Sequence, residues 1–209
     1  MNIQLEIIKK VSILIDRKKY EEAKYLLENF ISKNKNIKID LKLYYQLYQV
    51  FNALREFKIA KKYIEKCIKI NENNHIFLNN LANIFLLERN IVKAEKFYLK
   101  SLEKKTDYLI ANINIAIFYE HVGKIEKAKK FYLKAIDLSP KKISIYYNLS
   151  RLDKNFITKK IVEFLDNLLK NENTELIDKA YCLFLLAEYE RKKKFYKKEI
   201  ELLKKAHQN

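Results

Sequence analysis

The residue types that most often do chemistry are scarce in this chain and stand apart from one another. None of its three histidines, His75, His121 and His207, has a partner at the i+3 or i+4 spacing of a metal-binding pair on one helix face. Cys67 and Cys182 lie outside any CxxC pattern, which favours packing thiols in a reducing, cytoplasmic setting over a disulfide or a zinc site. The sequence therefore predicts a non-catalytic chain that uses no cofactor.

Charge is the second chemical feature, and lysine supplies nearly all of it. The net charge is +17, yet arginine occurs only at Arg17, Arg55, Arg89, Arg151 and Arg191. Proteins that hold phosphates usually carry more of the forked guanidinium donors, so this composition disfavours nucleic acid as the partner. A basic solvated surface that attracts an acidic partner is the preferred interpretation. Because no apolar run approaches ~20 residues, we expect no membrane span.

The elements that position these residues follow from an internal repeat of 34 residues. Superposing the chain on itself at this period aligns large apolar residues, small residues and aromatic residues in separate columns. Small residues let two helices approach closely, and large ones fill the space between neighbouring helix pairs. The columns are Leu47, Leu81, Ile115 and Leu149; Ala60, Ala94 and Ala128; Phe51, Phe85 and Tyr119; Cys67, Ser101 and Ala135; and Gln46, Asn80, Asn114 and Asn148.

The run ANINIAIFYEHVGKIEKAKKFYLKAIDLSP, residues 111–140, resembles the tetratricopeptide repeat family and holds the one glycine and the one proline of the chain. Gly123 can end a helix in a left-handed conformation, and Pro140 stops the next helix. The resemblance implies an all-α fold, an α-α superhelix or solenoid of about twelve antiparallel helices. We expect four hairpins within residues 1–142, at about 4–37, 41–74, 75–108 and 109–142, and two degenerate helix pairs within 143–209.

The repeat pattern decays after Leu149. The segment 153–158 replaces the tight turn, and Thr158 is the expected N-cap of a helix that runs to about Lys170. A long helix over about 175–193 and a last helix ending near Gln208 complete the prediction. In that last helix we expect Ile200, Leu203 and Ala206 to face the preceding helices, and Glu199, Lys204 and Lys205 to face solvent.

The C-terminal segments NLSRLDKNF, LLKNENTEL and LFLLAEYERKKKFYKKEIELLKKAHQN also resemble the junction between repeats and catalytic domain in tetratricopeptide-containing sulfotransferases. That domain binds its sulfonate donor through a glycine-containing phosphate loop. The only glycine here, Gly123, is assigned to a hairpin turn. The resemblance thus implies the non-catalytic half of such an enzyme, or a relic of it.

In the tetratricopeptide family the first helix of each hairpin lines a concave groove that holds a peptide. Asparagine donates and accepts hydrogen bonds, so a row of asparagines can pair with any peptide backbone. The alternative is that the column of Asn80, Asn114 and Asn148 ties neighbouring hairpins together. The projected groove residues are Tyr45, Gln49, Asn52, Asn79, Asn80, Asn83, Ile110, Asn114, Ile117, His121, Tyr147, Asn148 and Arg151.

Chaperone-binding members of the family grip a C-terminal carboxylate with lysines and arginines at specific groove positions. Neither of the two possible registers supplies cationic residues there, so no carboxylate clamp is expected. The positions hold Tyr45, Gln49, Asn80, Ile110 and Asn114 in one register, and Asn79, Asn83, Asn114, Ser144 and Asn148 in the register one repeat later. The leading hypothesis is a protein-interaction scaffold that binds a peptide or protein in the groove. The alternatives are an accessory region of a sulfotransferase or other transferase, and an array that binds RNA or another anionic surface. For the scaffold we expect Asn83→Ala with Asn114→Ala to weaken peptide binding at little cost in thermal stability.

Overall fold

The computed structural model describes residues 3–208, and within that range the chain forms twelve α-helices and no strand. The predicted all-α fold is confirmed. No described helix is both long enough and apolar enough to cross a bilayer. The helices are α1 (Ile3–Asp16), α2 (Tyr20–Lys33), α3 (Leu41–Ala53), α4 (Phe57–Ile70), α5 (His75–Leu87), α6 (Ile91–Lys104), α7 (Leu109–His121), α8 (Ile125–Leu138), α9 (Ile143–Leu152), α10 (Lys159–Lys170), α11 (Leu176–Lys192) and α12 (Tyr196–Gln208).

The chain divides into two compact units, the first ending at Thr106 and the second beginning at Asp107. In the first unit α1 pairs with α2, α3 with α4 and α5 with α6; α3 also packs on α1 and α2, and α5 packs on α4. In the second unit α7 pairs with α8 and α11 with α12, while α9 packs on α8 and α11. Stacking of this kind buries apolar faces that a single helix pair leaves exposed.

The small-residue column lies where the helices of a pair meet. Ala60 and Ala94 in the first unit and Ala128 in the second are fully buried. The large residues of the repeat, such as Leu47 and Ile115, are buried as well. The periodicity therefore identified the core of the helix pairs correctly.

The reversal between paired helices uses one backbone conformation at five places. In the first unit the N–H of Arg55 donates to the Asn52 carbonyl (3.1 Å), and the N–H of Glu56 donates to the Phe51 carbonyl (2.8 Å). This pattern closes a helix C-terminus and requires a left-handed residue at its centre. The φ values at the five centres lie between 58° and 74°. They belong to Lys18, Arg55, Arg89, Gly123 and Lys194.

Neighbouring pairs in the first unit are joined by two lysines that repeat the same geometry. Lys24 Nζ on α2 lies 2.6 Å from a carboxylate oxygen of Glu56 and 5.6 Å from the centre of the Phe51 ring. Lys61 Nζ on α4 lies 2.6 Å from Glu88 and 4.6 Å from the centre of the Phe85 ring. Each lysine thus joins a second helix to the end of the next first helix, by an ion pair and a cation–π contact.

The predicted change after α9 is present in the second unit. The hydroxyl of Thr158 accepts a hydrogen bond from the N–H of Ile161 (3.5 Å), as expected of the N-cap of α10. Ile157, which occupies the position of Gly123 one repeat later, is buried and does not have a positive φ. α10 packs chiefly on α11, around a cluster that includes Leu165 and Cys182. The longer loop therefore redirects α10 toward the helix that follows it.

The orientation predicted for α12 is wrong at Glu199 and Ile200 and correct near its end, where Ala206 is buried and Lys204 and Lys205 are exposed. Glu199, expected to face solvent, is buried and accepts a hydrogen bond from Nε of Arg191 (2.6 Å). Ile200, expected to face the preceding helices, is 52% exposed. Leu202 packs against the cluster of the second unit instead. The buried face of α12 therefore departs from the predicted one only near its start, where Glu199 is paired with Arg191.

The left-handed turns lead to a stability prediction at Gly123 and Arg89. We expect Gly123→Ala to lower the free energy of unfolding by about 1–2 kcal/mol, since a Cβ is unfavourable at positive φ. A Cβ at Gly123 would meet no atom within 4 Å, so the backbone alone sets this cost. Arg89→Gly should raise the free energy of unfolding because it removes a Cβ at positive φ. The gain is limited to about 1 kcal/mol, since glycine is also freer in the unfolded chain. Denaturant titration measures both, and Arg89→Lys, which keeps the Cβ, should have no effect.

Candidate functional site

In the first unit the predicted groove residues lie on α3 and α5. Tyr45, Gln49 and Asn52 on α3 are half-buried, and so are Asn80 and Asn83 on α5. Asn79 is different, because only 1% of its surface is exposed. It is therefore not accessible to a ligand, and its predicted place in the groove is corrected. Neighbouring helical residues differ by about 100° in direction, so the prediction for Asn79 erred by one position.

Part of the amide column ties the first helices to one another. Nε2 of Gln46 donates to the Ile8 carbonyl (2.8 Å) and to the Ser12 hydroxyl (2.9 Å), which joins α3 to α1. Nδ2 of Asn80 donates to the hydroxyl of Tyr45 (3.2 Å), which joins α5 to α3. Gln46 and Asn80 thus tie neighbouring helix pairs together, as the structural interpretation of the amide column predicts.

Asn83 also has a structural partner. The buried hydroxyl of Tyr98 on α6 donates to Oδ1 of Asn83 (2.5 Å), and burial raises the pKa of the Tyr98 phenol. Removal of the Asn83 amide would leave this hydroxyl without its acceptor inside the helix pair. The expectation that Asn83→Ala leaves stability nearly unchanged is therefore revised.

Two amides on α3 remain for a ligand. Gln49 and Asn52 lie one turn apart, and neither side chain has a hydrogen-bond partner among residues 3–208. Leu87, the last residue of α5, is 53% exposed. It is not among the candidates predicted from the sequence. The 34-residue period could have identified it, since Leu87 occupies the same column as the candidate His121. The accessible part of α3 and α5 therefore combines unpartnered amides with an exposed aliphatic side chain.

In the second unit the candidates lie on α7 and α9. Ile110 is 52% exposed, His121 is exposed, and Asn114 and Ile117 are half-buried on α7. Asn148 on α9 is also half-buried. This surface is more apolar than that of α3 and α5, because Ile117 occupies the repeat position that holds Gln49 on α3 and Asn83 on α5.

Two further candidates in the second unit are committed to packing or pairing. The ring of Tyr147 lies 5.4 Å from that of Tyr181 on α11. A guanidinium nitrogen of Arg151 lies 3.4 Å from one carboxylate oxygen of Glu120, and the hydroxyl of Tyr132 donates to the other (2.9 Å). Burial is the main reason why the pKa of Tyr132 is raised, and the bond to Glu120 adds to it. Glu120 was missed by the sequence analysis; in this unit it is the acceptor for the tyrosine equivalent to Tyr98.

The cysteines have the environment of packing residues. Cys67 and Cys182 are fully buried, and burial raises the pKa of each thiol to about 12. A nucleophilic cysteine needs a lowered pKa and access to its substrate. No three His, Cys, Asp or Glu side chains within residues 3–208 are grouped to hold a metal ion.

Comparison with known proteins gives these helix pairs a family. The family model described as Tetratricopeptide repeat matches residues 41–74 and 110–142. These two segments are tetratricopeptide repeats. A curated relative, the uncharacterized protein ycf37 of Porphyra purpurea, is 38% identical over 77 residues, which is 37% of this chain and 44% of the relative. The match thus spans less than half the length of that relative.

Solved structures share the fold at low identity. PilF of Pseudomonas aeruginosa has a TM-score of 0.71 at 16% identity, covering 95% of this chain and 88% of its own. MamA of Desulfovibrio magneticus RS-1 has a TM-score of 0.61 at 19% identity, covering 74% and 86%. The first repeat domain of Spaghetti (RPAP3), bound to the HSP90 peptide SRMEEVD, has a TM-score of 0.52 at 16% identity, covering 57% and 97%. The predicted tetratricopeptide-type solenoid is confirmed, whereas the resemblance to a sulfotransferase junction gains no support from these matches.

The two kinds of amide predict different mutational effects. We expect Asn83→Ala to lower the free energy of unfolding by about 1–3 kcal/mol, because the buried Tyr98 hydroxyl loses its acceptor. Asn52→Ala should change it by less than about 0.5 kcal/mol, as is usual for a surface substitution. Denaturant titration compares them directly. An equal, small effect of both would contradict a structural role for Asn83.

The thiol environment predicts slow chemistry at both cysteines. At pH 8 the folded protein should not react with Ellman's reagent, because both thiols are buried and remain protonated. Addition of denaturant should release both thiols together. Rapid modification of one thiol in the folded protein would instead indicate a reactive, accessible cysteine.

Proposed function

We propose that this protein is a non-catalytic scaffold that binds an extended segment of another polypeptide on its first helices. The observation that carries the proposal is the accessible pair Gln49 and Asn52, which has no intramolecular partner among the described residues. We name this region, together with Tyr45, Asn80 and Leu87, the inner surface of the first unit.

The chemistry of the inner surface suits a peptide backbone. A side-chain amide can donate to a peptide carbonyl and accept from a peptide N–H at the same time. Two amides one helical turn apart therefore offer two such contacts along an extended chain. The bond from Asn80 already orients the Tyr45 hydroxyl, so less conformational entropy is lost there on binding.

An apolar side chain of the partner provides the remaining contact. Leu87 lies about two helical turns after Asn80 on α5 and exposes its aliphatic surface, and burial of apolar surface is favourable by roughly 25 cal/mol per Å². In the second unit Ile110 and Ile117 present a similar apolar surface, with Asn148 as the unpartnered amide among the described residues. We propose that each unit binds its own stretch of polypeptide and prefers aliphatic side chains.

The net charge favours an acidic polypeptide as the partner. The setting that we propose for this binding is the cytoplasm. The inner surface of the first unit has neutral side chains, whereas the chain as a whole carries a net charge of +17. The long-range field thus accelerates the approach of an acidic partner, while amides and apolar contacts hold it. Because the clamp positions Tyr45, Gln49 and Asn80 are uncharged, we propose that a free C-terminal carboxylate is not required.

The two other functions that the sequence suggests have less support. An accessory role beside a transferase rests on the junction resemblance alone. RNA binding along the first helices would call for cationic side chains there, and Gln49, Asn52 and Asn80 are neutral.

Selection from a random peptide library, followed by affinity measurement, tests the proposal. We expect Gln49→Ala with Asn52→Ala to weaken the selected peptide roughly 5- to 100-fold, which corresponds to two lost hydrogen bonds of ordinary strength. Asn167→Ala is the matched control, since Asn167 is an exposed asparagine on α10. Amidation of the peptide C-terminus should leave its affinity unchanged.

Two results would contradict the proposal. One is a selected peptide whose affinity does not respond to the Gln49 and Asn52 substitutions, which would place its site elsewhere. The other is a peptide that binds only with a free C-terminal carboxylate, which would indicate a clamp that these neutral residues do not provide.

A further inference from the structure

The turn between α11 and α12 carries a surface that the proposed function does not use. Its sequence, residues 191–198, is RKKKFYKK, with six cationic residues around two aromatic ones. We name these residues, together with Ile200, the basic–aromatic turn. All of them lie within the second unit.

Only two of the six cations have an ion-pair partner within the described chain. Nε of Arg191 lies 2.6 Å from Glu199, and Nζ of Lys198 lies 2.8 Å from Glu190; both acidic residues are buried. The other four cations form no ion pair within residues 3–208. These are Lys192, Lys193, Lys194 and Lys197. The turn therefore retains a dense local positive charge.

The same turn exposes apolar side chains. Phe195 and Tyr196 are each 58% exposed, and Ile200 is 52% exposed one turn after Tyr196. Three large apolar residues so close together are costly in water unless another surface covers them. A shallow, open cavity of about 810 Å³ lies against Phe195 and Tyr196, and its charged lining consists of four lysines and two glutamates: Lys193, Lys194, Lys197, Lys198, Glu190 and Glu201.

The turn is held in a defined conformation. Lys194 has a φ of 64°, and the N–H of Phe195 donates to the Glu190 carbonyl (3.0 Å), which closes the end of α11. Lys193 Nζ lies 4.0 Å from the centre of the Tyr189 ring. The aromatic side chains are thus presented from a fixed backbone, which lowers the entropy cost of docking.

We propose that the basic–aromatic turn binds the surface of a lipid bilayer that contains anionic lipids. Such a surface offers negative headgroups to the lysines and, directly beneath them, an apolar layer for Phe195, Tyr196 and Ile200. Aromatic rings favour this interface, and long lysine side chains reach the headgroups while their stems stay apolar. Attachment of this kind needs no membrane-spanning helix.

The composition of the turn favours a bilayer over nucleic acid. Single-stranded nucleic acid binds through aromatic stacking with its bases, and Ile200 cannot take part in stacking. All four unpaired cations are lysines, whereas phosphate recognition in nucleic acids makes frequent use of the arginine fork. RNA binding by the turn is therefore the competing outcome of the test.

Vesicle sedimentation of the full chain tests the electrostatic part. Binding is expected to vesicles of equal parts phosphatidylcholine and phosphatidylserine, and not to phosphatidylcholine alone. Lys194→Asn with Lys197→Ala should weaken binding roughly 25-fold, at about fivefold for each lysine. Asparagine is chosen because it tolerates the left-handed conformation of residue 194. The matched control, Lys58→Ala with Lys62→Ala, removes the same charge from exposed positions on α4 and should have little effect.

Fluorescence tests the apolar part, because the chain contains no tryptophan. Phe195→Trp should show a blue shift and a gain in intensity when phosphatidylserine vesicles are added. Tyr25→Trp, at an exposed position in the first unit, is the control and should not respond. Both sites are exposed in the folded protein, so neither variant is expected to unfold it.

Three results would overturn the proposal. The first is absence of binding to phosphatidylserine vesicles. The second is an equal loss of binding in the α4 control, which would assign the effect to net charge rather than to this turn. The third is binding of an oligouridylate that depends on Lys194 and Lys197 while the fluorescence of the Phe195→Trp variant does not respond to vesicles.

Discussion

Five helix ends within residues 3–208 are closed by the same left-handed turn, and the placement of the first helices depends on it. The turn sends the chain back along the helix it has just left, so the small residues at Ala60, Ala94 and Ala128 can meet the partner helix. Four of the five centres are lysine or arginine. Burial of the paired helices must therefore offset a backbone cost of about 1–2 kcal/mol at each of those four positions. Where the turn is replaced, at segment 153–158, α10 packs chiefly on the following helix.

The polar side chains of the first helices serve two tasks that sequence alone does not separate. Gln46, Asn80 and Asn83 hold helices together through hydrogen bonds to groups on α1, α3 and α6. Gln49 and Asn52 make no such bond within the described chain. A surface built in this way is preorganised by the first set and accessible through the second. Its capacity to bind a polypeptide then depends on very few side chains.

Much of the fold could be predicted from the period of 34 residues, because large and small side chains leave a regular trace in sequence. The individual site residues could not, since a helical position and its neighbour point about 100° apart. Asn79 and Asn80 show this: the first is buried and the second lies at the surface. In α12 Glu199, paired with Arg191 of α11, is buried, whereas its apolar neighbour Ile200 is exposed. The pairs Arg191–Glu199 and Lys198–Glu190 each span eight residues across two helices, which lies outside the i+3 and i+4 spacings of a single helix face.

NMR of the Asn and Gln side-chain NH₂ groups distinguishes the amides that join helices, Gln46 and Asn80, from those available to a ligand, Gln49 and Asn52. On addition of a selected peptide, the resonances of Gln49 and Asn52 should shift and become protected from solvent exchange. Those of Gln46 and Asn80 should already be protected in the free protein and should move little. Large shifts at Gln46 and Asn80, with none at Gln49 and Asn52, would contradict the account.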